Sequence, residues 1–96
     1  MTQAIEVVNL RPKTNVKTSE FEAAASAMTD VLSGMEGFIA RNVGRRSDGN
    51  YIDVVRWKDL QCAQKAADEV MKRPECQAFF ELIDEETLTM THYETV

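Results

Sequence analysis

Few side chains in this chain have chemistry to offer, and they sit on or near segments that read as strands. His92 is the sole histidine, and an imidazole titrates in the range that suits a general base. Asp53 lies inside the apolar run YIDVVRW, residues 51–57. A carboxylate there is costly unless Lys58, an arginine or a polar pocket receives it. Trp57, the sole tryptophan, closes the run. It is either one wall of a pocket and a hydrogen-bond donor, or a core aromatic with its N–H satisfied. Asn9, near the end of AIEVVNL (residues 4–10), can orient a ligand or bond backbone. A base, a donor and aromatic walls together suit proton abstraction from a small molecule held away from water. His92 and Asp53 are therefore the candidate catalytic residues. Asn9, Phe38, Asn42, Tyr51, Trp57 and Phe79 are the candidate substrate contacts. No metal site is expected, since there is one histidine and no C-x-x-C.

Positioning these groups falls to one small domain, residues 1–96. A chain of this size hides only roughly 60–65% of its extended surface, so burial in a dimer is an expectation. Charged residues make up 28% and hydrophobic ones 44%, as in globular proteins. Net charge is −5 and the pI about 4.8, which argues against nucleic acid or an anionic membrane as partner. No apolar run is long enough to span a bilayer, and the N-terminus lacks the order of a signal peptide. Cys62 and Cys76 read as free thiols of a cytoplasmic protein.

Periodicity gives the element order. Residues 4–10 alternate as a strand. Ser19-x-x-Glu22 is a capping-box signature, and Phe21, Ala24, Ala25, Met28, Val31, Leu32 and Met35 recur at helical spacing. Residues 38–46 and 50–57 are strands joined around Asp48-Gly49, a preferred pair for a tight hairpin. Asp59 offers an N-cap to a helix carrying Leu60, Ala63, Ala67, Val70 and Met71. Pro74 fits the first turn of a short helix with Cys76, Phe79, Phe80 and Ile83. Residues 87–94 alternate as a last strand. The order β-α-β-β-α-(α)-β predicts an α+β, ferredoxin-like plait: a four-stranded antiparallel sheet with its helices on one face.

A two-residue Asp48-Gly49 loop would pair Arg46 with Tyr51, Arg41 with Arg56 and Ala40 with Trp57. Phe38, Ala40, Asn42 and Gly44 would then share a face with Tyr51, Asp53, Val55 and Trp57. That face mixes aromatic, small and polar residues, as a pocket does. Ile39, Val43, Ile52 and Val54 would form an aliphatic cluster on the other face, beside Arg41 and Arg56. Val8 and Leu10 can add to that cluster. If the first strand puts Asn9 on the mixed face, Ile5 and Val7 join it there. Only one face can meet the chain's own helices. The aliphatic face predicts a homodimer through Ile39, Val43, Ile52 and Val54, with glutamates such as Glu6 or the partner neutralising the arginines.

The segment GFIARNVGRRSDGNYIDVVRWKDLQCAQKAADEVMKRPECQAFFELID, followed by MTHYE, resembles the antibiotic biosynthesis monooxygenase family. The shared features are a Gly-Phe opening the second strand, a Trp ending the third, a helix just after it, a Pro with a Phe-rich short helix, and a closing strand. The resemblance covers nearly the whole chain and implies a dimeric α+β barrel. Members of that family include enzymes that oxidise phenols or quinols with molecular oxygen and no metal or flavin, so no cofactor is expected. Other members degrade haem, and Asn9 and Trp57 match two positions of that branch. The branch also uses an iron-ligating histidine on the second helical region, and residues 60–83 contain none. That departure speaks against haem degradation.

Together these readings predict a cofactor-independent monooxygenase acting on a small aromatic, phenolic or quinol-type compound. A non-catalytic small-molecule-binding or structural dimer of the same fold is the alternative, and a small-metabolite isomerase a further one.

Overall fold

The computed structural model describes residues 2–96. Strand β1 is Ala4–Pro12, helix α1 Thr18–Ser33, strand β2 Phe38–Arg45, strand β3 Tyr51–Trp57, helix α2 Leu60–Val70, helix α3 Pro74–Phe80 and strand β4 Ile83–Glu94. The sheet is antiparallel throughout with the order β2-β3-β1-β4. This is the expected ferredoxin-like α+β plait, with β4 starting four residues earlier than alternation suggested. None of the helices is long and apolar enough to cross a membrane.

The helices form where their apolar stripes require. Phe21, Ala25, Met28 and Leu32 are buried along α1, at spacings of three and four that keep them on one side. Helix α1 begins at Thr18 after Lys17, with no side-chain cap. The expected capping box is therefore not used: Ser19 lies inside the helix and Glu22 turns to Tyr51 and Arg45. Asp59 does cap α2, accepting from the Cys62 N–H at 2.8 Å, and Pro74 opens α3. Gly37, at φ 83°, lets β2 start against α2, because a Cβ there would lie 2.5 Å from Cys62 Sγ. Both thiols, Cys62 and Cys76, are free and buried.

The hairpin register differs from the expectation by one residue. Gly49 N–H donates to Arg46 O, Arg46 N–H donates to Asn50 O, and Gly49 takes a positive φ. The loop is thus the three residues Ser47-Asp48-Gly49, a form that Asp-Gly serves as readily as the two-residue one. Arg45 pairs with Tyr51, Val43 with Asp53 and Arg41 with Val55, while a bulge at Ile39 brings Phe38 opposite Trp57. A one-residue slip exchanges the faces of the slipped strand. Asn42, Ala40 and Gly44 therefore leave the face of Trp57, and Arg41, Val43 and Arg45 join it.

The helix-covered face can be read as rows across the strands. One row runs Arg41, Val55, Glu6, His92, and the next Val43, Asp53, Val8, Met90. Behind Glu6 lies the row Phe38, Trp57, Ala4, Glu94. Ala4, Val8, Leu10, Val55 and Trp57 are buried in the core with Phe21, Phe79 and Ile83. Val8 and Leu10 belong to this core, not to the outer face. The outer face carries Ile5, Val7, Ile52 and Val54, with Ile52 40% exposed. Of the four residues expected on it, Val43 does not belong there.

Candidate functional site

Between the sheet and helices α2 and α3 lies a cavity of about 400 Å³. Its walls are apolar: Met28 and Leu32 from α1, Ala66, Ala67 and Val70 from α2, Phe79 and Phe80 from α3, with Val8, Val55 and Trp57 beneath. β4 is an edge strand, and the lining residues Met71, Leu88 and Met90 are 61%, 41% and 50% exposed. They form the rim, so the mouth opens beside β4. The polar groups that reach the lining include Glu6 and Asp53 on the sheet.

Asp53 is one of the two expected catalytic residues. It is buried and lines the cavity, but both its oxygens are engaged. Arg41 Nε donates to Oδ1 at 2.9 Å and Arg41 Nη2 to Oδ2 at 2.7 Å. The Arg41 side chain is wholly buried and also donates to Thr29 Oγ1 and Ala25 O of α1. This two-pronged geometry is the strong form of the pair. Arg41 therefore does not confront Arg56, as the other register required; it ties β2 and β3 to α1.

His92, the other expected catalytic residue, is not among the cavity's lining residues. It stands directly across from Glu6, with Nε2 3.6 Å from Glu6 Oε1. That is within ion-pair range but too long for a hydrogen bond. Trp57 is diagonal to Glu6 on β3 and is 1% exposed. Among the described residues, Trp57 Nε1 and His92 Nε2 are the two buried side-chain nitrogen or oxygen atoms without a hydrogen bond. Both side chains neighbour Glu6 on the adjacent strands. Burial pushes the Glu6 carboxyl above its ordinary value of 4.5; the His92 charge pulls it down, the Asp53 charge raises it again, and the Trp57 indole lowers it. The net direction is upward. The sequence suggests Glu6 only as a counter-charge for the arginines of the outer face; Asp53 takes Arg41 instead, and Glu6 lies on the helix-covered face with Ala4, Val8 and Leu10.

The expected substrate contacts divide. Trp57 and Phe79 line the cavity. Phe38 meets Trp57 edge-on at 5.7 Å and supports it from outside the lining. Tyr51 packs on Phe21 at 4.7 Å and donates to Glu22 Oε2 at 2.7 Å. It faces a second, polar groove between α1 and β2, with Glu22 and Arg45. Asn9 pairs with Ile52 and Asn42 with Val54, so both are exposed on the outer face, away from the cavity. The register slip accounts for Asn42. For Asn9, the phase of β1 left open by the sequence resolves the other way.

No family model matches the chain, and no curated protein matches it. Solved structures do share its fold. SnoaB, a cofactor-independent oxygenase from Streptomyces nogalater, superposes with a TM-score of 0.72 at 17% identity, over 100% of this chain and 93% of its own. A protein from Bordetella bronchiseptica assigned to the antibiotic biosynthesis monooxygenases gives 0.79 at 16% identity, over 100% and 99%. A dimeric ferredoxin-like protein of unknown function from Jannaschia gives 0.72 at 12% identity, over 97% and 99%. These matches support the resemblance drawn from the strand-end motifs: the chain has the ferredoxin-like α+β fold of the antibiotic biosynthesis monooxygenase-like proteins.

Proposed function

We propose that this protein is a monooxygenase that works without metal or flavin on a small aromatic, phenolic or quinol-type compound. The observation that carries the reading is a single cavity that joins apolar walls to a carboxylate, Glu6, whose charge is only partly compensated. The fold shared with an oxygenase named as cofactor-independent supports it. Oxygenation of this kind needs an electron-rich anion, a dry site and a proton acceptor. The substrate supplies the electrons: when a phenol becomes a quinone, one atom of O2 enters the ring and the other leaves as water. In this reading Trp57 and Phe79 hold the ring. Asp53 contributes charge while clamped by Arg41, and His92 acts through Glu6.

A second reading, a binding module of the same fold, is favoured by the engagement of Asp53 and the position of His92 behind the lining. Oxygen uptake with a panel of phenols and naphthols in chelator-treated buffer separates the two. The monooxygenase reading expects uptake that is lost in Ala67→Trp, which narrows the cavity. Binding of the panel without oxygen uptake would leave the binding module.

We also infer that two copies pair through the outer sheet face around Ile52 and Val54. Supporting this are the exposed Ile52 with the half-buried Ile5, Val7 and Val54 beside it, and the dimeric neighbour of the same fold. Sedimentation of a monomer at micromolar concentration would contradict it.

A further inference from the structure

We propose that Glu6 is the proton acceptor for a hydroxyl of the ligand held in the cavity, with His92 and Trp57 positioning its carboxylate. This assignment rests on the reading of the cavity as a site for an ionisable aromatic compound.

Three observations converge on Glu6 rather than on Asp53 or His92. First, Glu6 lines the cavity and its side chain is 13% exposed, whereas His92 does not reach the lining. Second, its oxygens lack the two close donors that Asp53 receives from Arg41; the His92 nitrogen beside it stays 3.6 Å away. Third, two buried nitrogens without a hydrogen bond stand on the strands beside it: His92 Nε2, 3.6 Å from Glu6 Oε1 on β4, and Nε1 of Trp57, the diagonal neighbour on β3. A buried polar atom without a partner is costly, and two of them around one carboxylate mark a site left open for a further polar group. A ligand hydroxyl can supply that group.

The charged and titratable surroundings are few. From β3, Glu6 faces Asp53, whose charge is matched by Arg41. From β4 it faces His92, with Glu94 two residues further on the same face, and Glu85 of β4 also lines the cavity. Helix α2 presents Ala66, Ala67 and Val70 to the cavity, and α3 presents Gln77, Phe79 and Phe80. No lysine or arginine of the described residues lines it. Burial, only partly offset by His92 and Trp57, keeps the carboxyl above its ordinary value, and a stronger base accepts a phenolic proton more readily. The step moves one proton. The ligand O–H bond breaks, its electron pair stays on the ligand oxygen, and a new O–H bond forms on Glu6.

The test compares 1-naphthol with 1-methoxynaphthalene, which has the same rings but no hydroxyl proton, by calorimetry from mildly acidic to neutral pH. Wild-type protein should bind 1-naphthol roughly tenfold more tightly once Glu6 is ionised, the size of a hydrogen bond to a charged group. The methyl ether should show no such rise. Glu6→Gln should abolish the pH dependence while still binding both compounds. His92→Gln should retain it but move its midpoint to higher pH, which a merely structural role for His92 would not do. An unchanged profile in Glu6→Gln, or equal profiles for naphthol and ether, would overturn the Glu6 assignment and leave the cavity reading intact. Binding of neither compound would overturn the cavity reading and the assignment with it.

Discussion

Two charged groups on one sheet face have been treated differently by the fold. Asp53 and Arg41 are buried together, and every oxygen of the carboxylate receives a donor. Glu6, one strand away, is also mostly buried, yet His92 Nε2 stops 3.6 Å short of it and the nearby Trp57 Nε1 has no hydrogen bond. The first pair is closed and has little left to offer a ligand. The second lies open to a cavity of about 400 Å³. Buried charges are expected to be satisfied, so the unsatisfied set is where function is to be sought. The closed pair is where the structure is held together.

If the pair is a structural clamp, breaking it gives the largest effect. Arg41→Met strands the Asp53 carboxylate and should cost about 3–5 kcal/mol in urea unfolding. The double variant Arg41→Met, Asp53→Leu should recover most of that, because the penalty comes from the unpaired charge. A loss for Arg41→Met of under about 1 kcal/mol would break the distinction between the two clusters.

The open cluster should respond in the opposite sense. The Glu6 carboxyl is raised above its ordinary value. The folded protein therefore holds that proton more tightly than the unfolded chain. Its favourable contribution is complete below pH 4.5, and is lost as pH rises through the higher folded value. Glu6→Gln should accordingly be more stable than wild type at neutral pH, and the advantage should vanish in acid. Thermal unfolding at two pH values measures it; a Glu6→Gln variant less stable at neutral pH than in acid, each relative to wild type, would reverse the sign.

The smallest effect belongs to Trp57→Phe. It removes part of a fully buried ring, but it also removes an N–H with no partner. Packing loss and relieved desolvation oppose each other, so the net change in unfolding free energy should lie within about 1 kcal/mol. A loss of several kcal/mol would mean that the indole N–H is satisfied in solution.

Much of this arrangement was legible in the residues themselves. Alternation along YIDVVRW put Tyr51, Asp53, Val55 and Trp57 on one face whatever their neighbours, because side chains alternate within a strand. The stripe of α1, the Asp59 cap and the Pro74 start came from local rules and are seen in the fold. What was not legible depended on pairing between strands. Asp48-Gly49 is compatible with two loop lengths, and the choice moved Arg41 from an opposing arginine to Asp53 and moved Asn42 to the outer face. β1 carried apolar residues in both phases, so Asn9 and Glu6 exchanged places as site candidates. The bulge at Ile39, which brings Phe38 to Trp57, has no signature in the sequence.

The most direct test is a titration of the Glu6 side-chain carboxyl by carbon-13 NMR, in wild-type protein and in His92→Gln. An open, partly compensated carboxylate should titrate above 4.5, and loss of the His92 charge should raise the midpoint further. A Glu6 that titrates at or below 4.5, with a midpoint unmoved in His92→Gln, would contradict it.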